Sequence, residues 1–301
     1  MKKAFLQLHI AVFLAGFTGI LGRLITLNEA LIVWYRLLIT SATMWILFAA
    51  LKKIKYIPLS DIIRITLVGF IAALHWMAFY GAIKYANVSV ALVCFSSVGF
   101  FTAILEPIIF RKQIDRTELA LGLLTVLGIY IIFQFDAQYK TGIIVGMISA
   151  LLGALFPICN RQFLQRINVE TMLAWQQTGG FVLLSVLLPF YLREFGVARY
   201  LPDRQDFLWL MVLSWLCSVV AFQFSSNALK KLSAFTVNLT YNLEPVYGII
   251  LAFIVYRENK NLGKWFYVGF AIIVAVLTIH VLLLARQERK QLAREEASVT
   301  P

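Results

Sequence analysis

Ten apolar windows, each close to the length that crosses a bilayer, follow one another along the 301-residue chain with only short polar connections between them. They fall near residues 5–25, 31–51, 62–83, 87–110, 117–135, 142–163, 171–192, 207–229, 233–256 and 263–285. A helix rises about 1.5 Å per residue, so about 20 residues span the hydrocarbon core. Hydrophobic residues make up 61% of the chain and charged residues 14%, against about 45–50% and about 25% in soluble domains. Inside lipid every backbone N–H and C=O must be satisfied within the protein, and runs of this length achieve that as helices. The expected fold is therefore all-α and membrane-integral, with ten transmembrane helices.

The longest connection, REFGVARYLPDRQDF, is still only a loop, so no soluble domain is expected between the spans. The polar tail, residues 286–301, is expected to fray into solvent. The first run follows a basic end, as in a signal peptide, but Gly22-Arg23 is a poor small-x-small cleavage site, which favours a retained helix.

The formal net charge is +12, yet the basic residues are scattered between apolar runs and build no compact patch, so nucleic acid is not an expected partner. With the N-terminus inside, 17 lysines and arginines fall on inner segments and 9 on outer ones, which places both termini in the cytoplasm. The three cysteines, Cys94, Cys159 and Cys217, lie in different apolar runs without CxxC or Cys/His spacing. They read as packing residues, and neither a metal site nor a cofactor is expected.

The chain contains a weak internal repeat. YGAIKYANVS overlies SNALKKLSAF, aligning Ala82 with Ala228 and Lys84 with Lys230 (228 − 82 = 146), and the same offset brings Arg111 onto Arg257. Nearer the start, NEALIVWYR overlies VETMLAWQQ, aligning Glu29 with Glu170, Trp34 with Trp175 and Arg36 with Gln177 (170 − 29 = 141). The expected units are residues 1–138, residues 139–285 and the tail. Five spans per half is an odd number, so the halves enter the membrane from opposite sides, the architecture of many secondary transporters. Small residues recur every fourth position at Gly142, Gly146, Ala150 and Ala154, and at Ala11, Ala15 and Gly19, which permits close helix packing.

Together, the ten spans in two inverted halves, the WYR of Trp34–Arg36, the AIKYANVS and ALKKLSAF turns and the stretch LEPVYGIILAFIVYRE resemble the EamA-type members of the drug/metabolite transporter superfamily. The resemblance covers essentially the whole chain. It implies a compact ten-helix fold around a central cavity and transport of small metabolites such as amino acids, often as efflux. One departure stands out: the proline usual in the fourth helix of these proteins would fall at Gly99, whereas the ninth window keeps Pro245.

Ionisable groups inside spans normally face a cavity or a partner, so they are the first functional candidates. Glu106 is five residues from Arg111 and can reach the interface, whereas Glu244 is thirteen residues from Arg257, roughly 20 Å along a helix. Pro245 beside Glu244 removes a backbone donor and is expected to kink the ninth helix, with Asn238, Tyr241, Asn242 and Glu244 around the opening. Glu244 is then a candidate either to bind a substrate ammonium or cycle a proton, or to sit protonated and satisfied at a kink. Pro157, near Asn160, marks a second expected kink.

Arg36, about 10 Å below the outer surface, could hold a substrate carboxylate or snorkel outward as an anchor. In the third span His75 and Phe79 share one helical face and Trp76 and Tyr80 the next, either lining a cavity or packing as core. Gln177 is the repeat counterpart of Arg36.

The leading expectation is a secondary transporter that moves a small metabolite, an amino acid or a related aromatic or drug-like compound, by alternating access as efflux, with membrane lipid as its other partner and a monomer or homodimer as its unit. Without a transit peptide, a bacterial cytoplasmic membrane is the expected location. The alternative is a membrane enzyme acting on a lipid or lipid-linked substrate. The chain contains no HExxH, no GxSxG and no basic loop shaped around a phosphate. A channel would need a charge ring or filter pattern, which is also missing from the sequence.

Overall fold

Where the chain turns out of the membrane, asparagine and aspartate side chains start the next helix. Asn28 Oδ1 accepts from the Ala30 N–H at 2.9 Å, Asn87 Oδ1 from Val90 at 2.8 Å and Asp203 Oδ1 from Asp206 at 2.7 Å. Each satisfies one of the four donors left free at a helix start. The computed structural model describes residues 2–135, 137–229, 231–232, 237 and 240–299, and among them it has helices and turns but no strand. The helices are α1 (Lys2–Leu24), α2 (Glu29–Ala50), α3 (Leu59–Tyr85), α4 (Val88–Phe95), α5 (Val98–Phe110), α6 (Arg116–Phe135), α7 (Lys140–Leu164) and α8 (Val169–Glu194). Next, α9 (Arg204–Ser214) runs through a π turn (Trp215–Val220) into α10 (Ala221–Leu229), followed by α11 (Glu244–Tyr256) and α12 (Lys264–Val299).

With α4–α5 and α9–α10 each taken as one interrupted span, nine stretches among the described residues are long and apolar enough to cross a bilayer. The tenth, α11, has 13 residues. Its window was expected to be one kinked helix over 233–256, and residues 233–236 and 238–239 of it lie outside the described residues. Val237, Thr240 and Tyr241 are helical, Asn242 and Leu243 turn, and a separate helix begins at Glu244. Proline explains the difference, because Pro245 in a first turn needs no N–H partner, whereas mid-helix it would break a bond and clash. Pro157, by contrast, lies inside the continuous helix α7. The tail expected to fray continues α12 to Val299, in keeping with its run of good helix formers.

The fourth span of the first half is interrupted in the same register. Ser96 and Ser97 turn their hydroxyls onto the carbonyls of Leu92 (3.2 Å) and Cys94 (2.7 Å), competing with the helix ladder. Thus α5 starts at Val98 and α11 at Glu244, the repeat offset of 146 (244 − 98). Both helices end on an arginine in the left-handed region, Arg111 and Arg257, each with φ 53°.

Packing follows the same duplication. Helix α3 lies against α7 and α8, while the α9–α10 span lies against α1 and α2. Likewise α4 packs on α7 and α11 on α1, and the pairs α2/α8, α6/α12 and α4/α11 bridge the halves. Exchanging the halves maps each of these named contacts onto another or onto itself. Close approach is made by glycine where paired helices cross. A methyl group on Gly16 would stand 2.8 Å from the Glu244 carbonyl oxygen and 2.9 Å from the Gly248 nitrogen; one on Gly128 would stand 2.8 Å from the Gly269 oxygen. The stripe Gly142, Gly146, Ala150 and Ala154 is buried on α7, with Gly146 against Cys94.

Two aspartates in equivalent first turns pin opposite ends of the bundle. Asp61, 3% exposed on α3, accepts from Arg166 Nη2 at 2.7 Å in the α7–α8 loop. Asp206, 2% exposed on α9, accepts from the Thr26 N–H at 2.8 Å, the Thr26 hydroxyl at 2.9 Å and Arg199 at 2.7 Å. Each pin ties one half to a loop of the other.

Candidate functional site

Arg36 enters the bundle from α2, two turns below Glu29, and is only 4% exposed. It does not snorkel. Its Nε donates to Ser218 Oγ at 3.1 Å, its Nη1 donates to the Tyr80 hydroxyl at 2.9 Å, and its guanidinium carbon lies 4.2 Å from the Trp76 ring centre. The π turn makes this possible: by widening one turn it brings Ser218 round to the guanidinium, while the Ser218 hydroxyl donates to the Leu213 carbonyl at 3.4 Å. Such a bulge inside a helix is a local departure often found at functional sites. Ser214 donates to the Arg36 carbonyl at 3.5 Å. Among the described residues no carboxylate forms an ion pair with Arg36. A buried cation held only by neutral hydroxyls and a ring face retains N–H groups for an anion.

Glu244 is the acid nearest in role. It is half-buried at the first residue of α11, and among the described residues no hydrogen bond or ion pair joins it to Arg36. Among the described residues nothing donates to its carboxylate. Asn242 is half-buried in the preceding turn, and Tyr241 donates to Ser225 Oγ at 3.1 Å, tying that turn to α10. Asn238 lies outside the described residues.

The remaining candidates separate from this cluster. His75 is buried at the α3/α7 contact, where its Nδ1 lies 2.8 Å from the Ser149 carbonyl and its ring is bordered by Phe79, Phe95 and Phe156. Phe79 packs edge-on against Tyr80 and Phe95. These two are core packing. Gln177 is buried on α8, and its neighbour Gln176 accepts from Asn160 at 3.3 Å. Glu106 accepts from Arg161 at 2.6 Å and Lys112 at 3.2 Å, an interfacial structural role.

Two hollows formed by the described residues lie away from Arg36. Those hollows lie along the outer side of α9, about 560 Å³ by Trp209 and Trp215, and beside Trp45, Tyr56 and Trp175, about 290 Å³. Open space does occur at Gly99, where nothing stands within 4 Å of the position a side chain would take.

Sequence reasoning missed Ser218, because a serine in an apolar run carries no charge signal and the π turn is invisible in the pattern. It also missed Asp61 and Asp206, which the repeat could have shown at an offset of 145 (206 − 61).

These features define an all-helical integral membrane protein, built by duplication, with a buried cation and a half-buried acid between its halves. The chain belongs to the EamA-like transporter family, whose model matches residues 2–134 and again 140–280. It is 23% identical over 265 residues to an uncharacterized transporter of Haemophilus influenzae, covering 82% of this chain and 84% of that one. It is 24% identical over 191 residues to the uncharacterized transporter YdfC of Bacillus subtilis, covering 61% of each chain. A solved crystal structure aligns over 96% of this chain and 99% of its own with a TM-score of 0.64 at 15% identity, a likeness of fold.

Proposed function

We propose that this membrane transporter moves a small amino-acid-like metabolite by alternating access, in the direction of efflux, across a bacterial cytoplasmic membrane with both termini inside. The observation that carries the proposal is Arg36, a buried guanidinium with an aromatic face beside it and no acidic partner among the described residues; Glu244 is the half-buried acid at the start of α11. A zwitterion suits that pair. Its carboxylate takes the unused N–H groups of Arg36, and its ammonium takes the free carboxylate of Glu244. The interrupted spans on either side, α4–α5 and the turn before α11, supply irregular backbone where a substrate passes. The functional unit is a monomer or homodimer in lipid.

Purified protein in liposomes tests this. Labelled amino acids preloaded on one side are expected to exchange without chemical change, and Glu244→Gln and Arg36→Lys are expected to reduce that exchange at least tenfold. Exchange at the wild-type rate by Glu244→Gln across pH would refute the role of Glu244. Recovery of a chemically altered substrate would point to an enzyme instead.

A further inference from the structure

Besides the two aspartate pins and Glu29, which accepts from the Tyr191 hydroxyl at 2.6 Å, one more acid among the described residues is buried between the halves, and no functional role above uses it. Glu258 follows the left-handed Arg257 at the end of α11 and is 2% exposed. Its carboxylate accepts from the Arg23 guanidinium, from the N–H groups of Val88 (3.1 Å) and Ser89 (2.8 Å), and from the Ser89 hydroxyl (2.6 Å). Three elements therefore meet on one side chain: the end of α1, the start of α4 and the end of α11. The first two belong to one half and the third to the other. Arg23 also lies 4.3 Å over the Tyr256 ring, and the Tyr256 hydroxyl donates to the Ile20 carbonyl at 2.9 Å.

The opposite end of the bundle is built differently. The position equivalent to Glu258, 146 residues earlier (258 − 146), is Lys112, whose ammonium donates to Glu106 from an exposed position. Within α5, the helix there, Ala103 is the buried residue and Gly99 is exposed beside open space. The aspartate pins occur at both ends, so they do not distinguish one mouth from the other. Glu258 does. At its end the core is closed, with Ile20, Ile25, Ile83, Val88 and Leu92 all 3% exposed or less.

We propose that Glu258 is a clasp that holds one mouth of the transporter shut by fastening α11 to α1 and α4. It is a positioning residue: α11 is one short rod with Glu258 following its last turn and Glu244 at its first residue, so fastening one end places the other. The proposal rests on the transporter reading for its purpose, but the clasp itself is tested without transport. Water can reach it, because Arg23 sits at the rim with 41% of its side chain exposed. Opening exchanges four internal hydrogen bonds for water, which keeps the closed mouth favoured without making it permanent. Glutamine in place of Glu258 would turn an NH2 group toward donors and weaken the fastening.

The test uses the full chain in nanodiscs, where both faces meet solvent, with Cys94, Cys159 and Cys217 replaced by alanine. Leu92→Cys reports on the clasped mouth and Phe48→Cys, buried near the other end, serves as control. Labelling by a membrane-impermeant maleimide at the Leu92 site is expected to rise at least tenfold with Glu258→Gln and severalfold with Ser89→Ala or Arg23→Gln, with the control unchanged. Should Glu258→Gln fail to fold, the two milder variants carry the test. Unchanged labelling at the Leu92 site in the folded variants, or an equal rise at the control, overturns the clasp. Altered labelling without any measurable substrate exchange would leave the clasp standing and refute the transport reading; exchange with unaltered labelling would do the reverse.

Discussion

The guanidinium carbon of Arg36 lies 4.2 Å from the centre of the Trp76 ring, and one helical turn further along α3 the Tyr80 hydroxyl accepts from Arg36 Nη1 at 2.9 Å. The spacing of four residues puts both side chains on one face of α3, so a single strip of that helix holds the cation. Flat contact and a directed hydrogen bond together suit a planar guanidinium better than an ammonium.

Arg36→Lys is therefore expected to be a poor substitute despite keeping the charge. Losing part of a cation–π contact of about 0.5–2 kcal/mol and one or two hydrogen bonds to a charged group, about 1.5–3 kcal/mol each, predicts at least a tenfold loss of exchange in liposomes. Membrane expression should persist. Trp76→Ala and Tyr80→Ala should each lower exchange as well, whereas His75→Gln, a change in core packing, should lower thermal stability first.

Glycine positions sort by what surrounds them. A methyl on Gly16 meets the Glu244 carbonyl oxygen at 2.8 Å, while one on Gly99 meets nothing within 4 Å. Gly16→Ala and Gly128→Ala are expected to destabilise by about 1–3 kcal/mol through overpacking. Gly99→Ala should be neutral, or stabilising by about 0.4–1 kcal/mol, because alanine has less unfolded-chain freedom to lose than glycine. Thermal unfolding in detergent, followed by loss of the monodisperse peak, distinguishes the two outcomes.

The pins are expected to matter for assembly of the halves. Asp206→Ala removes the acceptor of the Thr26 N–H and hydroxyl and one partner of Arg199, which keeps Asp203, and Asp61→Ala removes the acceptor of Arg166. A hydrogen bond to a charged group is worth about 1.5–3 kcal/mol. Both variants should therefore unfold at lower temperature in the same detergent, Asp206→Ala by more because it loses more bonds. A larger loss at Asp61 would contradict this order.

Acid sensitivity is expected at the loop before α9. The Asp206 N–H bonded to the Asp203 carboxylate, and Arg199 beside it, hold Asp203 below the usual carboxylate range. A group with a lowered folded-state pKa contributes stability above its unfolded value, and that contribution fades as pH falls through the folded value. The stability gap between wild type and Asp203→Ala should thus be present at neutral pH and shrink below about pH 4.

How much was legible beforehand depended on the physical range of each feature. The spans could be read because hydrophobicity and length are local sums, and the duplicated halves because aligned residues such as Lys84 and Lys230 survive in the sequence. Arg36, Trp76, Tyr80 and Glu244 stood out as charge or aromatic bulk among apolar neighbours. Whether Arg36 pointed to lipid or to Tyr80 could not be read, since that depends on how α2 is rotated against α3 and α9.

The sequence by itself determined a helical membrane chain of two related halves and the depth of its ionisable residues, because bilayer thickness and backbone hydrogen bonding act on each segment separately. Only the tertiary structure decided that α11 starts at Glu244, that a π turn offers Ser218 to Arg36, and that Glu258 reaches the start of α4. Those outcomes depend on contacts between residues far apart in the chain, whose energies exist only once the helices are packed.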